Sequence, residues 1–132
     1  MGKFERTFTN VPWESKVGYC RAVKAGNQIF VTGTASVNDD GSTFAPDDAY
    51  QQACKCFDLI KKTLKDLGTD LPNIVRTRMF VTDISRWEEF GKAHLEYFGE
   101  HPPATSIVEV KALIDPAMLI EVEADAIVDQ KE

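Results

Sequence analysis

Six apolar residues between Asp47 and Leu67 recur at intervals of 3, 4, 3, 4 and 3, and this pattern constrains the fold more than any other feature of the sequence. They are Tyr50, Ala53, Phe57, Ile60, Leu64 and Leu67. This spacing places all six on one face of an amphipathic helix. Pro46, Asp47 and Asp48 predict the start of the helix, because proline fits a first helical turn and acids complement the helix dipole there. Gly68 predicts its end, because glycine is favoured just past the last helical residue.

A second, shorter helix is predicted after Ser85. Residues 85–88 have the S-x-x-E spacing of a capping box, and an apolar stripe with intervals of 3, 4 and 4 then runs to a stop near Gly99. The stripe consists of Trp87, Phe90, His94 and Phe98. His94 has two interpretations, a hydrogen-bonded histidine of the core or a catalytic base, and we favour the first.

Several segments are rich in β-branched and aromatic residues, which is typical of strands. They are residues 19–25, 28–36, 74–81, 105–111 and 119–128. Residues 3–9 add an edge strand, and Gly26 and Asn27 suit the tight turn of a hairpin. The resulting order β-β-β-α-β-α-β-β predicts an α+β domain whose two helices cover one face of a mixed sheet.

The last predicted strand separates apolar from acidic residues. Glu121, Glu123 and Asp125 alternate with isoleucine, valine and alanine, so the apolar set belongs under the helices and the acids on the opposite face. Arg76 and Arg78 would neutralise these acids from a neighbouring strand. The acidic face is therefore either solvated with surface ion pairs or covered by other subunits. Exposed apolar side chains would favour subunits, and the candidates are Trp13, Phe44 and Ile107.

Length and charge exclude several classes of protein. The 132 residues fit one domain spanning residues 1–132. The net charge of −6 would repel a phosphate backbone, so nucleic acid is not an expected partner. No segment approaches the roughly 18 apolar residues that span a membrane. The three cysteines form no C-x-x-C pair and the first residues form no apolar leader, so we expect a cytoplasmic protein.

The motifs of the sequence predict no cofactor and no metal ion. The sequence lacks G-x-x-x-x-G-K-[ST], G-x-G-x-x-G, H-E-x-x-H and G-x-S-x-G, and neither His94 nor His101 has a partner at metal-ligand spacing. Gly33 points to a site, because it interrupts the apolar run 29–32. Glycine inside a strand marks either a bulge or a close approach of a ligand to the backbone, and both interpretations stay open.

Motifs along almost the whole chain resemble those of one known family. Residues 18–23 are G-Y-C-R-A-V, residues 29–33 are I-F-V-T-G, and residues 78–83 are R-M-F-V-T-D. Residues 103–110 are P-A-T-S-I-V-E-V, and residues 120–124 are I-E-V-E-A. They resemble, in order, P-Y-S-Q-A-V, a strand ending in S-G, V-F-V-x-D, and P-A-R-S-x-V-E-V followed by I-E-I-E-A. These are motifs of the Rid family, also called YjgF or L-PSP endoribonuclease-like.

The resemblance implies a chorismate-mutase-like α+β fold and a homotrimer whose three sheets form a central barrel, with three clefts between subunits. It also implies hydrolysis of reactive enamines and imines, such as 2-aminoacrylate, to a keto acid and ammonia. In this family the arginine of P-A-R-S binds the substrate carboxylate, and Thr105 replaces it here. A threonine hydroxyl cannot provide charge-assisted bidentate pairing, so plain 2-aminoacrylate is not the expected substrate.

The resemblance also implies roles for individual residues. Glu121 would hold or activate the attacking water, Tyr19 would close the pocket or hydrogen-bond the ligand, and Gly33 would leave room for backbone contacts. A carboxylate in a desolvated cleft has a raised pKa, which suits proton transfer near neutral pH. The other implied ligand-binding residues are Thr32, Gly91, Thr105, Ser106 and Ile107.

Three functions remain after this reasoning. The first is a hydrolase of small enamines, imines or related nitrogen compounds, and the second is a non-catalytic trimer that binds a small molecule, such as a carboxylate or an imine, or a partner protein. The third is a ribonuclease, which the negative charge and the lack of a basic stripe disfavour. Whether Arg21 or Arg78 replaces the missing arginine stays open.

Overall fold

The fold is a six-stranded mixed sheet with two long helices on one face. The computed structural model describes residues 4–9 and 11–128, so Lys3 of the predicted first strand lies outside the described residues. The elements are β1 (Phe4–Thr7), α1 (Pro12–Val17), β2 (Ala22–Ala25), β3 (Gln28–Ala35), α2 (Ala49–Asp66), β4 (Ile74–Val81), α3 (Trp87–Phe98), β5 (Ala104–Glu109) and β6 (Ile120–Ile127).

The strand order is β1-β2-β3-β6-β4-β5, so the last strand of the chain lies in the middle of the sheet. β4 and β5 are parallel and joined through α3, and every other neighbouring pair is antiparallel. The predicted α+β class, mixed sheet and helix placement are confirmed. Among the described residues, no helix is long and apolar enough to cross a membrane.

The core forms between the two helices and the sheet. Phe57 of α2 is fully buried, and its ring packs edge-on against Phe98 of α3 at 5.2 Å between centroids. On β6 the apolar parity is buried as predicted, namely Ile120, Val122, Ala124 and Ala126. Burial of each large apolar side chain contributes about 1.5–3 kcal/mol, so the α2 stripe is a major source of stability.

Both ends of α2 carry capping structures, although the start differs from the prediction. Asp48 is the N-cap, and its carboxylate accepts the N–H of Gln51 at 2.9 Å. Pro46 therefore lies outside the helix rather than in its first turn, because Asp47 has a positive φ of 66° that no helix accepts. Gly68 ends the helix as predicted, with a φ of 85°.

The predicted capping box at residues 85–88 is wrong. The Asp83 carboxylate accepts both the N–H and the hydroxyl of Ser85, at 3.0 and 2.6 Å, and this pairing starts a 3₁₀ turn over Ile84–Arg86. α3 then begins at Trp87, and no side chain caps it. Trp87, the first residue of α3, is 56% exposed and does not belong to the buried stripe, in which Phe90 and Phe98 are buried.

A short helix, α1, was missed by the sequence analysis. It has Pro12 at its first position and Gly18 at its end in the left-handed conformation, with φ of 93°. These signals were present in the sequence, but six residues are too few to show an apolar period. β2 consequently begins at Ala22, so Tyr19 and Cys20 precede the strand in which they were predicted to lie.

The face of the sheet opposite the helices carries the acids of β6, as predicted. Arg78 forms ion pairs there with Asp125 at 3.2 Å and Glu123 at 3.7 Å, and no such pair is found for Arg76 within the described residues. Phe30 and Val108 are large apolar side chains exposed beside these charges. The apolar candidates named from the sequence are half-buried rather than exposed: Trp13, Phe44 and Ile107.

Candidate functional site

Gly33 lies at a bulge in β3, directly beneath the side chain of Glu121. The pairing of β3 with β6 shifts register between Val31 and Thr34, which places the bulge at this point. A Cβ atom on residue 33 would overlap the Glu121 carboxylate and lie only 3.0 Å from its Cδ. The bulge interpretation of Gly33 is confirmed, and a carboxylate of the same chain lies against its backbone. The approach of a ligand to this position stays a prediction.

Glu121 is a half-buried carboxylate on the open face of the sheet. Burial raises its pKa, the negative charge of Glu123 adds to this effect, and the positive charge of Arg21 opposes it. A carboxyl group with a raised pKa exchanges protons closer to neutral pH than an exposed glutamate does. A half-buried carboxyl group with a raised pKa makes Glu121 a candidate for a general acid or base.

Arg21 lies beside Glu121 and is only 8% exposed. Its Nη2 donates to the carbonyl oxygen of Gly33 at 2.7 Å, and its Nη1 lies 3.6 Å from a carboxylate oxygen of Glu14. The guanidinium also lies 5.8 Å from the centre of the Tyr19 ring. Its Nε is buried and has no hydrogen-bond partner among the described residues.

Glu14 connects the short helix α1 to this cluster. It is buried, and its two carboxylate oxygens accept the backbone N–H and the hydroxyl of Thr9 at 2.9 and 2.6 Å. The missed helix thus places a charged residue against Arg21. Sequence reasoning did not find Glu14, because nothing in its spacing distinguishes it from a surface acid of a helix.

A cavity of about 330 Å³ opens between α1, β3 and β6, and Tyr19, Thr32, Gly33 and Glu121 line it. Burial is the main cause of a raised pKa at Tyr19, so its hydroxyl stays protonated and able to donate a hydrogen bond. Thr32 donates its own hydroxyl to the Cys20 carbonyl at 2.7 Å. Much of the remaining wall is apolar and includes Val11, Trp13, Val17, Ala35, Val37, Ile114 and Met118.

The other predicted site residues lie away from this cavity. Thr105 and Ile107 point to the helix side of β5, and Ser106 faces the opposite side, paired with Arg78. β4 separates β5 from Glu121 on β6, so a single chain does not bring the two groups together. Gly91 lies on α3, and a Cβ atom there would meet nothing within 4 Å.

A closed hydrogen-bond network holds Thr105. Its hydroxyl lies 2.6 Å from that of Thr77 and 3.3 Å from Nε2 of His94, and Thr77 lies 2.9 Å from the same nitrogen. Burial lowers the pKa of His94, and its ring packs edge-on against Phe57 at 5.6 Å. His94 has the environment of a hydrogen-bonded core histidine, the interpretation favoured from the sequence.

Two further observations concern other possible sites in the molecule. Among the described residues, no group of three or more His, Cys, Asp and Glu side chains could hold a metal ion. A second cavity, of about 390 Å³, also includes Arg21 in its lining, together with Asp39, Lys62 and Asp66.

Comparisons with known proteins agree with the fold. Residues 9–128 match the family model described as Endoribonuclease L-PSP. The crystal structure of Rv2704 from Mycobacterium tuberculosis, described as a member of the highly conserved YjgF/YER057c/UK114 family, superposes with a TM-score of 0.86. It is 42% identical in sequence, and the match covers 95% of this chain and 99% of that one.

Two curated relatives extend the comparison. An uncharacterized protein of Streptomyces coelicolor is 30% identical over 121 residues, which cover 92% of this chain and 90% of that protein. A protein named 3-aminoacrylate deaminase RutC, from Acinetobacter baylyi, is 29% identical over 108 residues, covering 82% of this chain and 85% of the relative.

Proposed function

The chain belongs to the L-PSP endoribonuclease family, also known as the Rid or YjgF family, and from this premise we propose that it hydrolyses small, reactive enamines or imines. The observation that carries the proposal is the half-buried Glu121, whose pKa is raised and which lies over Gly33 beside Tyr19 in a cavity of about 330 Å³. A relative named as a deaminase of an aminoacrylate supports the same class of substrate.

Glu121 performs the proton transfers in this proposal. The carboxylate accepts a proton from a water molecule, whose oxygen adds to the imine carbon and forms a carbinolamine. Glu121 then returns the proton to the nitrogen. As the carbon–nitrogen bond breaks, the hydroxyl proton of the carbinolamine passes to the Glu121 carboxylate, and a carbonyl compound and ammonia form. Ammonia takes up this proton and leaves as ammonium, which restores the carboxylate. Tyr19 remains protonated and donates a hydrogen bond to the reacting group, because its pKa is raised. An enamine enters the same sequence after its carbon is protonated to give the imine.

The working form in this proposal is a homotrimer with clefts between subunits. The family resemblance implies this assembly, and the open face of the sheet, with its acids and the exposed Phe30 and Val108, supports it. In this proposal, assembly would bring the β5 edge of one subunit, with Thr105, Ser106 and Ile107, and Gly91 of α3 to the Glu121 cavity of the next subunit. Light scattering at micromolar concentration tests the assembly: three times the 14.7 kDa chain mass is expected, and a particle of one chain mass contradicts it.

The substrate in this proposal differs from 2-aminoacrylate. The hydroxyl of Thr105 is held by Thr77 and His94, and it offers a carboxylate no positive charge. A non-catalytic trimer that binds a metabolite or a partner protein is the second candidate, and Thr105 is the observation that favours it. Ribonuclease activity ranks third, because the net charge is −6.

The first experiment couples a pyridoxal-phosphate dehydratase acting on serine to this protein and follows the decay of 2-aminoacrylate to pyruvate and ammonia. The variants are Glu121→Ala and Thr105→Arg. Acceleration by the wild type that is lost in Glu121→Ala supports hydrolysis without the arginine. Acceleration only in Thr105→Arg supports an intact site that takes a different ligand.

The same assay is then repeated with imines of apolar amino acids, generated in place by an amino-acid oxidase. In one outcome, the wild type turns over none of these substrates while carboxylates or amines raise its thermal unfolding temperature. That result contradicts the hydrolase and supports the binding protein. Turnover that is unchanged in Glu121→Ala contradicts the proposed mechanism.

A further inference from the structure

We propose that Gln52 is a positioning residue that fixes the apolar wall of the cavity containing Glu121, and that through this wall it limits the size of the substituent a substrate carries. The role in substrate selection rests on the proposed function, whereas the placement of the wall does not. Gln52 lies on α2, on the other side of the sheet from the Glu121 side chain, and it does not line the cavity.

Gln52 is a polar exception on the buried face of α2. Its side chain is fully buried, whereas most residues on this face are apolar: Ala49, Ala53, Cys56, Phe57, Ile60 and Leu64. A buried amide costs free energy unless its N–H and C=O groups are paired. The three hydrogen bonds of this side chain all go to the backbone of two loops. The amide therefore specifies where these loops lie against α2.

The amide of Gln52 holds three points of the backbone. Its Nε2 donates to the carbonyl oxygens of Ala117 at 2.9 Å and Ala45 at 3.1 Å, and its Oε1 accepts the N–H of Leu119 at 2.8 Å. Ala117 and Leu119 flank Met118, which is 1% exposed and lines the cavity. Gln52 thus fixes the backbone on both sides of a residue in the cavity wall.

The bond to Ala45 fixes the second loop beside the cavity. The N–H of Phe44 donates to the Ser36 carbonyl and the Ser36 hydroxyl donates to the Phe44 carbonyl, both at 2.9 Å, directly before Val37 of the cavity wall. Ala45 has a positive φ of 52°, which alanine adopts only at a cost in free energy. Such a conformation persists where the surroundings hold it, and the hydrogen bond from Gln52 is one of the contacts that do so.

Glu121 is held in a different way from the wall. It pairs with Ala35 of β3 and Phe80 of β4, so its position depends on the strands on both sides. Met118 precedes β6 and lies outside the core between the helices and the sheet. Loss of the Gln52 amide should therefore displace Met118 and leave Glu121 in place, which separates substrate selection from the chemical step.

Steady-state kinetics with two imines tests the selection of the substrate. The imines are generated from 2-aminobutyrate and leucine by an amino-acid oxidase, and they differ in the size of the apolar substituent. Gln52→Leu removes all three hydrogen bonds, so KM for the leucine-derived imine should rise about tenfold, as for a lost methylene contact in an apolar pocket. The kcat for both imines and KM for the smaller imine should change by less than about twofold, because the chemical step does not depend on the wall.

Two further variants distinguish positioning from a merely structural effect. Thr63→Val removes another buried polar group from α2, whose hydroxyl donates to the Leu59 carbonyl of the same helix at 3.0 Å, so both KM values should remain those of the wild type. Gln52→Glu keeps an acceptor for the N–H of Leu119. Burial favours the neutral form of its carboxyl group, which can donate one hydrogen bond, so this variant should restore part of the wild-type selection.

Methyl NMR of the methionines measures the wall without any substrate. The methyl signal of Met118 reports on the cavity wall, and that of Met79, a buried residue of the core, is the internal reference. Met79→Leu and Met118→Leu assign the two signals. Gln52→Leu should shift the Met118 signal and leave the Met79 signal at its wild-type position, whereas Thr63→Val should leave the Met118 signal unchanged.

Several outcomes would overturn the inference. One is an unchanged Met118 signal in a folded Gln52→Leu variant, another is an equal displacement of the Met79 signal, and a third is the same loss of selection in Thr63→Val. Failure of both Gln52 variants to fold, followed by circular dichroism, would also overturn it, because Gln52 would then be needed for folding as a whole.

Failure of this inference differs from failure of the proposed function. Displacement of the Met118 signal without turnover of any imine by the wild type contradicts the hydrolase and leaves the placement of the wall by Gln52 intact. Turnover of both imines with unchanged KM values in Gln52→Leu supports the hydrolase and contradicts the role of Gln52 in selection.

Discussion

Two polar clusters in this molecule differ in how fully their groups are paired. The cluster of Thr77, His94 and Thr105 closes on itself through three hydrogen bonds beneath α3. The cluster of Arg21 and Glu121 has a buried Nε without a partner among the described residues and a carboxyl group whose pKa is raised by burial. Closed networks stabilise a fold, whereas incompletely paired, perturbed groups in a cavity indicate chemistry. The difference assigns the stability role to the first cluster and the proposed reaction to the second.

Glu121→Gln should have the largest effect in the comparison. It keeps the shape of the side chain and removes the proton acceptor, so kcat for imine hydrolysis should fall by about a hundredfold to ten-thousandfold, the usual contribution of general acid–base catalysis. The measurement is steady-state kinetics with circular dichroism as a check on folding. Glu123→Gln, on the same face of β6, is the control and should retain activity. Equal losses in both variants would contradict a specific role for Glu121.

Gly33→Ala should cause the second largest loss of activity. The new Cβ overlaps the Glu121 carboxylate, which must move while the backbone remains in place. A misplacement of about 1 Å in a reacting group can cost about a hundredfold in rate, so kcat should fall while the protein stays folded. Kinetics and thermal unfolding of the same sample separate the two effects. Full activity would show that the position of Glu121 over Gly33 is not needed.

Thr77→Val tests the closed cluster. The variant keeps the volume of the buried side chain but leaves His94 Nε2 and the Thr105 hydroxyl without their shared partner. The free energy of unfolding should fall by about 1–3 kcal/mol, as expected when a buried polar group loses its hydrogen bond. Urea denaturation measures it, and Thr105→Val should cost less, because that end of the network is exposed to water. An unchanged free energy of unfolding in Thr77→Val would contradict a structural role for the cluster.

The pH dependence of stability should report on the same cluster. Burial lowers the pKa of His94 from its ordinary 6.5, so the unfolded chain binds a proton more readily than the folded one. Stability should therefore decrease as the pH falls below about 6.5 and level off below the lowered pKa of the folded state. Urea denaturation of the wild type and His94→Gln from neutral to weakly acidic pH checks this expectation. An identical slope in both proteins would assign the effect to other groups.

Gly91→Ala should have the smallest effect of these variants, and it should raise the stability of the chain rather than lower it. Residue 91 lies inside α3, and a Cβ atom there meets no neighbour within 4 Å. Alanine in a helix interior is favoured over glycine by about 0.5–1 kcal/mol, so the chain should become more stable. Paired thermal unfolding of Gly91→Ala and Gly33→Ala contrasts an open position with a filled one. A destabilised Gly91→Ala variant would show that another group, such as a second subunit, occupies this space.

Local patterns predicted much of the fold. The α2 stripe, the parity of β6 and the stop at Gly68 each depend on residues close together in the chain, and each was confirmed. The capping box at residues 85–88 failed because Asp83, a nearer acceptor, takes both donors of Ser85. The helix α1 was missed because six residues show no period. For the candidate site, the resemblance pointed to Tyr19, Gly33 and Glu121, which the fold places around one cavity.

The sequence by itself determined the α+β class, the face of each helix that is buried and the separation of acids from apolar residues on β6, because periodicity follows directly from helix and strand geometry. Only the tertiary structure decided that Glu121 lies over Gly33, that Arg21 is buried with its guanidinium on the Gly33 carbonyl, and that Thr105 is held by Thr77 and His94. Each of these contacts joins residues that are far apart in the chain. Their distances depend on strand order, on the bulge in β3 and on the packing of α1 and α3, which no local pattern contains.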